Sequence, residues 1–327
     1  MINFKVGILG AGAIAEKIAD TLNRLDSFEV YAIASRDIEK ANAFGDKYSV
    51  GKRYGSYEEL IQDTEVEMVY IATPHSNHAE LARKCIEAGR PCLVEKAFSY
   101  NAQTTEEVLK LSEEKNVFCA EAMWIRYMPI YKFLHDKLRE GIIGDVQHIE
   151  CSLGYDIRDK ERIVKPELAG GALLDLGVYP LNVFAMLFQM APENMIGSCL
   201  KLSTGVDAQF CLTSIFPKGK VGTAFVTTLF NADNGAKIYG NKGYITIDNI
   251  NCPSVVKIYM RDGKLAGELN INERQISGYE HEFLAAREAI ITGKVETVEM
   301  PHSESIRIMK LCDNLRDAWS IKFPMEQ

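Results

Sequence analysis

No C-x-x-C pair occurs among the eight cysteines, Cys85, Cys92, Cys119, Cys151, Cys199, Cys211, Cys252 and Cys312. That removes the commonest redox and zinc signatures. Most of these thiols sit in apolar segments, so the sequence reads as carrying reduced, structural cysteines. Positive charge is also in deficit. The formal net charge is -8, the wrong sign for a protein held to nucleic acid through phosphate contacts. No block of like charges forms a tail, and there is neither a repeat nor a low-complexity linker. The opening MINFKVGILG lacks a basic region followed by a long apolar core, and no apolar run reads as long enough to span a bilayer. The expectation is a cytoplasmic protein with no membrane partner. What is present is a chain of 327 residues, enough for two domains.

The first third alternates short apolar runs with helix-like segments. FKVGILG, FEVYAIAS, VEMVYIAT, PCLVEKAF and VFCAEAMW read as strands. AIAEKIADTLNRL, DIEKANAFGDKY, NHAELARKCIEAG and TTEEVLKLSEEK read as helices, and SYEELIQD opens on a capping box, Ser56 with Glu59. Strands with little polar alternation, separated by helices, indicate a parallel sheet covered on both faces, a doubly wound α/β domain over 1–122. The pattern then changes. After PIYKFLHDKLREG come alternating strands joined by the turn signals NADNG, GNKG and RDG. The expectation for 123–327 is an α+β domain with a large, mostly antiparallel open sheet, closed by two helical stretches. Helices of the same chain can cover one face of such a sheet. The other face calls for a partner subunit, so a homo-oligomer through this sheet is expected.

Directly after the first strand, Gly10-Ala11-Gly12-Ala13-Ile14-Ala15 fits G-x-G-x-x-A. Gly10 permits the tight turn, Gly12 lets backbone approach a pyrophosphate, and Ala15 is small enough for helix-on-strand packing. The helix N-terminus then offers N–H groups to the anion. A generic glycine-rich turn is the plainer reading; as the first βαβ unit of the chain, the dinucleotide reading is preferred. The second strand ends Ser35-Arg36, where an NAD binder usually carries an acid. Arg36 can stack on adenine or fork onto a 2′-phosphate and Ser35 can bond it, which favours NADP with NAD possible. Asp37 reads as a displaced acidic ligand or, better, as a helix N-cap. At the end of the next strand, Thr73 and Pro74 lead to His75 and His78, with Asn77 as the helix cap. These read equally as cofactor contacts or as a capped turn with exposed histidines. A metal site is not expected there.

Leu93–Phe98, LVEKAF, puts Glu95 and Lys96 at the end of an apolar strand on the same rim. A fixed ammonium there can polarise a carbonyl or stabilise an alkoxide, with Glu95 orienting or pairing it; a surface ion pair is the alternative. GGALLDLGVYPLNVFAMLF reads as a buried helix with one polar stripe, Asp175, Tyr179 and Asn182. Buried polar groups need partners, and a cleft holding Lys96 and substrate hydroxyls would supply them. Pro180 and Gly177 make a bend in this helix expected.

Six segments together, GILGAGAIA, YIATPHSNHAE, VEKAF, EAMWIRYMP, GGALLDLGVYPLN and SIRIMKLCDNLRDAW, make the chain resemble the Gfo/Idh/MocA family along essentially its full length. Gly177-Val178-Tyr179-Pro180 is most similar to the branch of dimeric dihydrodiol and NADP-dependent D-xylose dehydrogenases. The resemblance implies an NAD(P)-dependent oxidoreductase acting on a sugar or cyclic diol. The family's E-K-P lysine falls on Lys96, its helix aspartate on Asp175, and its acid/base position on Tyr179; Trp124 and Arg126 fall on the substrate side. Ala97 stands where the family has proline. Within the fold, a redox-inactive regulator and an NAD-dependent glycosidase are the competing functions. A methyltransferase binding S-adenosylmethionine would share the glycine-rich loop but has no use for Lys96 and Tyr179.

Overall fold

The computed structural model describes residues 3–271 and 275–326. The chain forms two compact units, Met1–Tyr127 with Ile276–Met309, and Met128–Gln275 with Lys310–Gln327.

In the first unit, β1 (Phe4–Leu9), β2 (Phe28–Ala34), β3 (Lys52–Tyr54), β4 (Met68–Ile71), β5 (Cys92–Glu95) and β6 (Cys119–Ala122) pair in parallel, in the order β3-β2-β1-β4-β5-β6. The connecting helices are α1 (Ala13–Leu22), α2 (Ile38–Tyr48), α3 (Tyr57–Gln62), α4 (His75–Glu87) and α5 (Ala102–Lys115). The unalternated apolar runs are explained by burial on both faces. Val6, Ile8, Met68, Tyr70 and Leu93 enter one core layer, while Leu9, Val69, Ile71, Cys92 and Val94 enter the other. Each such side chain contributes about 1.5–3 kcal/mol when fully buried. Strand order reverses between β1 and β4, and in open α/β sheets ligands bind beyond the carboxyl ends of the strands at such a point.

The second unit begins with α6 (Pro129–Arg139) and holds an eight-stranded sheet. Its strands are β7 (Val146–Gly154), β8 (Asn194–Lys201), β9 (Asp207–Phe216), β10 (Lys220–Thr227), β11 (Ala236–Gly240), β12 (Gly243–Ile247), β13 (Val255–Met260) and β14 (Leu265–Asn270). The order is β14-β13-β12-β11-β7-β10-β9-β8, antiparallel throughout except for the β7–β10 pair. Between β7 and β8 lie α7 (Glu161–Val164) and α8 (Val178–Phe188). Phe184 and Phe188 of α8 pack on Phe216 of β9 at ring-centroid distances of 6.2 and 4.5 Å. Pro166–Phe188 is, by length and composition, apolar enough to cross a membrane, although no such run was expected; 89% of its apolar window is buried inside the fold, as a core helix would be.

After β14 the chain forms α9 (Glu280–Ile291) and α10 (His302–Ala318). Phe283, Ala286 and Ala289 of α9 join the core of the first unit, with Phe283 against Phe28 and Tyr70. The sequence reading divided the chain once, after residue 122. The packing instead counts residues 276–309 with the first unit, because one face of its sheet takes α9 as cover.

Candidate active site

The glycine-rich loop sits where β1 hands over to α1. Gly10 has φ +100°, and a Cβ there would meet the Ala72 carbonyl oxygen at 2.8 Å, so only glycine fits without strain. Gly12 is the N-cap of α1, makes no side-chain cap, and would have no atom within 4 Å of an added Cβ. Its backbone is open to a ligand, while Ala15 is buried beneath it. Ala13 is exposed and Ile14 half-buried. At the next strand end Ser35 is buried and its Oγ accepts the Asp37 N–H at 3.3 Å. Asp37 caps α2 by accepting the Glu39 N–H, which resolves the two readings of that residue in favour of the cap. Arg36 is exposed and lines a recess of about 450 Å³ together with Ser56, Tyr57, Asn77 and Lys84. The half-buried Tyr57 bonds Arg36; burial raises its phenol and the guanidinium pulls it back. The motif search did not single out Tyr57, whose position just after the Ser56 cap was the available signal.

Thr73 leaves β4 buried, with its Oγ1 bonded to no protein group. An orphaned hydroxyl, an open N-terminal backbone and a cationic recess along one strand-end rim fit a phosphorylated dinucleotide. Pro74 is the N-cap of α4, not Asn77, because the helix already begins at His75. Both histidines are buried, which removes the reading of them as exposed residues of a capped turn. His75 stands edge-on to His78 at 5.7 Å. His78 has Nδ1 2.9 Å from the Ala97 carbonyl oxygen and Nε2 2.7 Å from that of Thr73. Both ring nitrogens of His78 thus face main-chain carbonyls.

Glu95 ends β5 as a buried side chain that accepts the Tyr70 hydroxyl and, at 3.0 Å, the Lys96 N–H. Lys96 is half-buried, and its peptide bond to Ala97 is cis, a geometry found mostly before proline. The Phe98 N–H donates to Glu121 at 3.1 Å. Trp124 is buried and stacks on Tyr279 at 4.1 Å, and Arg126 pairs with Glu304. Glu282 of α9, invisible to motif reasoning, is fully buried with neither carboxyl oxygen bonded to a protein donor. Burial, then the charges of Glu95 and Glu280, push its carboxyl well above the usual range.

In the second unit, a π-helical turn, Leu173–Gly177, runs directly into α8. The expected irregularity around Gly177 and Pro180 thus takes the form of a widened turn. Asp207 fastens its start by accepting the Leu173 N–H at 2.6 Å, and burial pushes the Asp207 carboxyl up to about 6. Asp175, Tyr179 and Asn182 are all buried. Asp175 pairs with Arg162 of α7, a half-exposed partner that the sequence reading did not identify. Asn182 donates back to the Val178 carbonyl at 2.8 Å, so part of its hydrogen-bonding capacity serves its own helix.

An oxidoreductase family with an NAD-binding Rossmann fold matches residues 4–123, and the GFO/IDH/MocA C-terminal domain matches residues 131–246. The chain is 30% identical to trans-1,2-dihydrobenzene-1,2-diol dehydrogenase of Mus musculus and 31% identical to the protein of that name from Sus scrofa, over 98% of each chain. Among solved structures, aldose-aldose oxidoreductase from Caulobacter crescentus superposes with a TM-score of 0.88 at 20% identity, covering 98% of both chains. A 3-ketoreductase from Actinomadura kijaniata in complex with NADP gives 0.84 at 22% identity, covering 97% of both. At those identities the structures share the fold.

Proposed function

Since the chain belongs to the Gfo/Idh/MocA oxidoreductase family, we propose that it transfers hydride between NADP(H) and a carbinol carbon of a cyclic diol or sugar. The observation that carries the reading is Lys96, half-buried at the carboxyl end of β5, on the same sheet rim as the Gly10–Ala15 loop and the orphaned Thr73 hydroxyl. Relatives named for a cyclic diol favour that substrate class.

Gly12 and the start of α1 would hold the pyrophosphate, Thr73 the adjoining part of the dinucleotide, and Arg36 with Tyr57 the 2′-phosphate. When bound, the nicotinamide supplies the two-electron step. The remaining chemistry falls to side chains. Lys96 polarises the carbonyl in reduction and holds the alkoxide in oxidation. Tyr179 takes the hydroxyl proton in oxidation and returns it in reduction. A phenol with an ordinary pKa of about 10 is a weak base at neutral pH and a ready proton donor. Asp175, paired with Arg162, holds an adjacent substrate hydroxyl. Trp124 offers a flat apolar wall.

Lys96→Met and Tyr179→Phe are each expected to lose about 10²–10⁴ in kcat against a panel of diols and sugars followed by nicotinamide absorbance. NADPH binding, by fluorescence titration, stays intact in both. Ordinary turnover in either variant removes the scheme.

A further inference from the structure

The main chain on either side of Lys96 is tied to neighbouring groups. The Lys96 N–H bonds Glu95, and the Phe98 N–H bonds Glu121. Between them the Ala97 carbonyl meets Nδ1 of His78, whose Nε2 meets the Thr73 carbonyl. Thr73 and Ala97 lie beyond the ends of the adjacent strands β4 and β5, whose register stops at Ile71 and Val94. Past that point no ladder is available to join the two segments, and the imidazole stands between their carbonyls instead, donating to one of them when neutral and to both only as the cation. The ring is fully buried. A neutral imidazole carries one N–H and the cation two. Burial, helped by the charge of Lys96, disfavours the cation, while the carbonyls favour it. A group that is costly to bury and faces two acceptors is poorly explained as core filling.

We infer that His78 is a positioning residue whose ring, held between the Ala97 and Thr73 carbonyls, sets the direction in which Lys96 leaves β5. The inference rests on the reading that Lys96 acts on substrate. Displacement of a reacting group by about 1 Å can cost roughly 10²-fold in rate, and the ring acts one residue from that group.

The test compares His78→Leu, His78→Asn and His78→Gln. Asparagine places an amide donor near the position of Nδ1, toward Ala97; glutamine places one near Nε2, toward Thr73. His78→Leu is expected to lower kcat at least about tenfold while NADPH affinity changes by less than about threefold. His78→Asn recovers more of kcat than His78→Gln, and hydrogen exchange over residues 95–99 rises in the order Asn, Gln, Leu. The Asn–Gln comparison stands if the leucine variant does not fold. Wild-type kcat in His78→Leu, equal kcat in the Asn and Gln variants, or a loss of NADPH affinity matching the loss of kcat would each overturn the inference. If the wild-type protein turns over no diol or sugar, the parent reading fails. The exchange measurement then decides His78 alone, and unchanged exchange over 95–99 overturns it.

Discussion

Arg36 shows what a single side chain contributes. It is exposed, bonded to Tyr57, and borders a recess with Ser56 and Lys84. A charge-assisted hydrogen bond is worth about 1.5–3 kcal/mol. Arg36→Ala is therefore expected to weaken NADPH binding by about 10–100-fold and NADH binding by less than about threefold, measured by paired fluorescence titrations. Unchanged NADPH affinity would remove the preference for the phosphorylated cofactor. At this scale the glycine loop, Arg36 and Lys96 were legible because each pairs a special residue type with a strand end. The seat of the His78 ring between two carbonyls was not legible, because spacing shows a histidine near a helix start but not which way its ring turns. Glu282 was missed because a buried glutamate and an exposed one look the same in a sequence.

At the scale of the element, α9 carries the clearest pH signature. Glu282 is fully buried on it, without a protein donor, near Glu95 and Glu280. Its folded pKa is raised above the unfolded value of about 4.3. Above that pH the unfolded chain releases a proton that the folded chain keeps, so stability falls by about 1.4 kcal/mol per pH unit until the folded group also ionises. Glu282→Gln removes this dependence. Its Tm advantage over the wild-type protein is expected to grow from pH 5 to pH 8, read by scanning calorimetry; a constant difference would mean that Glu282 is ionised in the folded state. The elements themselves were largely readable. The Ser56–Glu59 capping box forms as written, and the turn Leu173–Gly177, just ahead of Pro180, departs from a regular α-helix. The start of α4 was misplaced because Pro74, with φ -62° and ψ 152°, serves as the N-cap without a side-chain bond.

For the whole molecule, the open question is the outer face of the second sheet. His148, Tyr239, Tyr244 and Tyr259 sit opposite one another on β7, β11, β12 and β13. Their rings form a half-buried ladder with centroid distances of 5.9, 6.1 and 4.8 Å. On β8, Ile196 and Leu200 are 59% and 55% exposed. Cross-strand aromatic pairs stabilise a sheet, and wide apolar faces on one mark association. We expect a homo-oligomer through this face. Sedimentation velocity should show a dimer or larger species, which Tyr244→Lys with Ile196→Lys drives toward monomer without loss of NADPH binding. A single monomeric species of the wild-type protein at working concentrations would end the idea.

Local rules written into the chain determined the doubly wound first domain, the antiparallel sheet of the second, the dinucleotide loop and the candidacy of Lys96, Asp175 and Tyr179. Period, turn chemistry and glycine placement act over a few residues, so they survive in a linear string. The return of residues 276–309 to the first unit, the Arg162–Asp175 pair, the placing of His78 between two carbonyls and the burial of Glu282 without a protein donor were decided only in three dimensions. Each depends on which distant surfaces are brought together to exclude water, and that information lies in the packing of both layers at once.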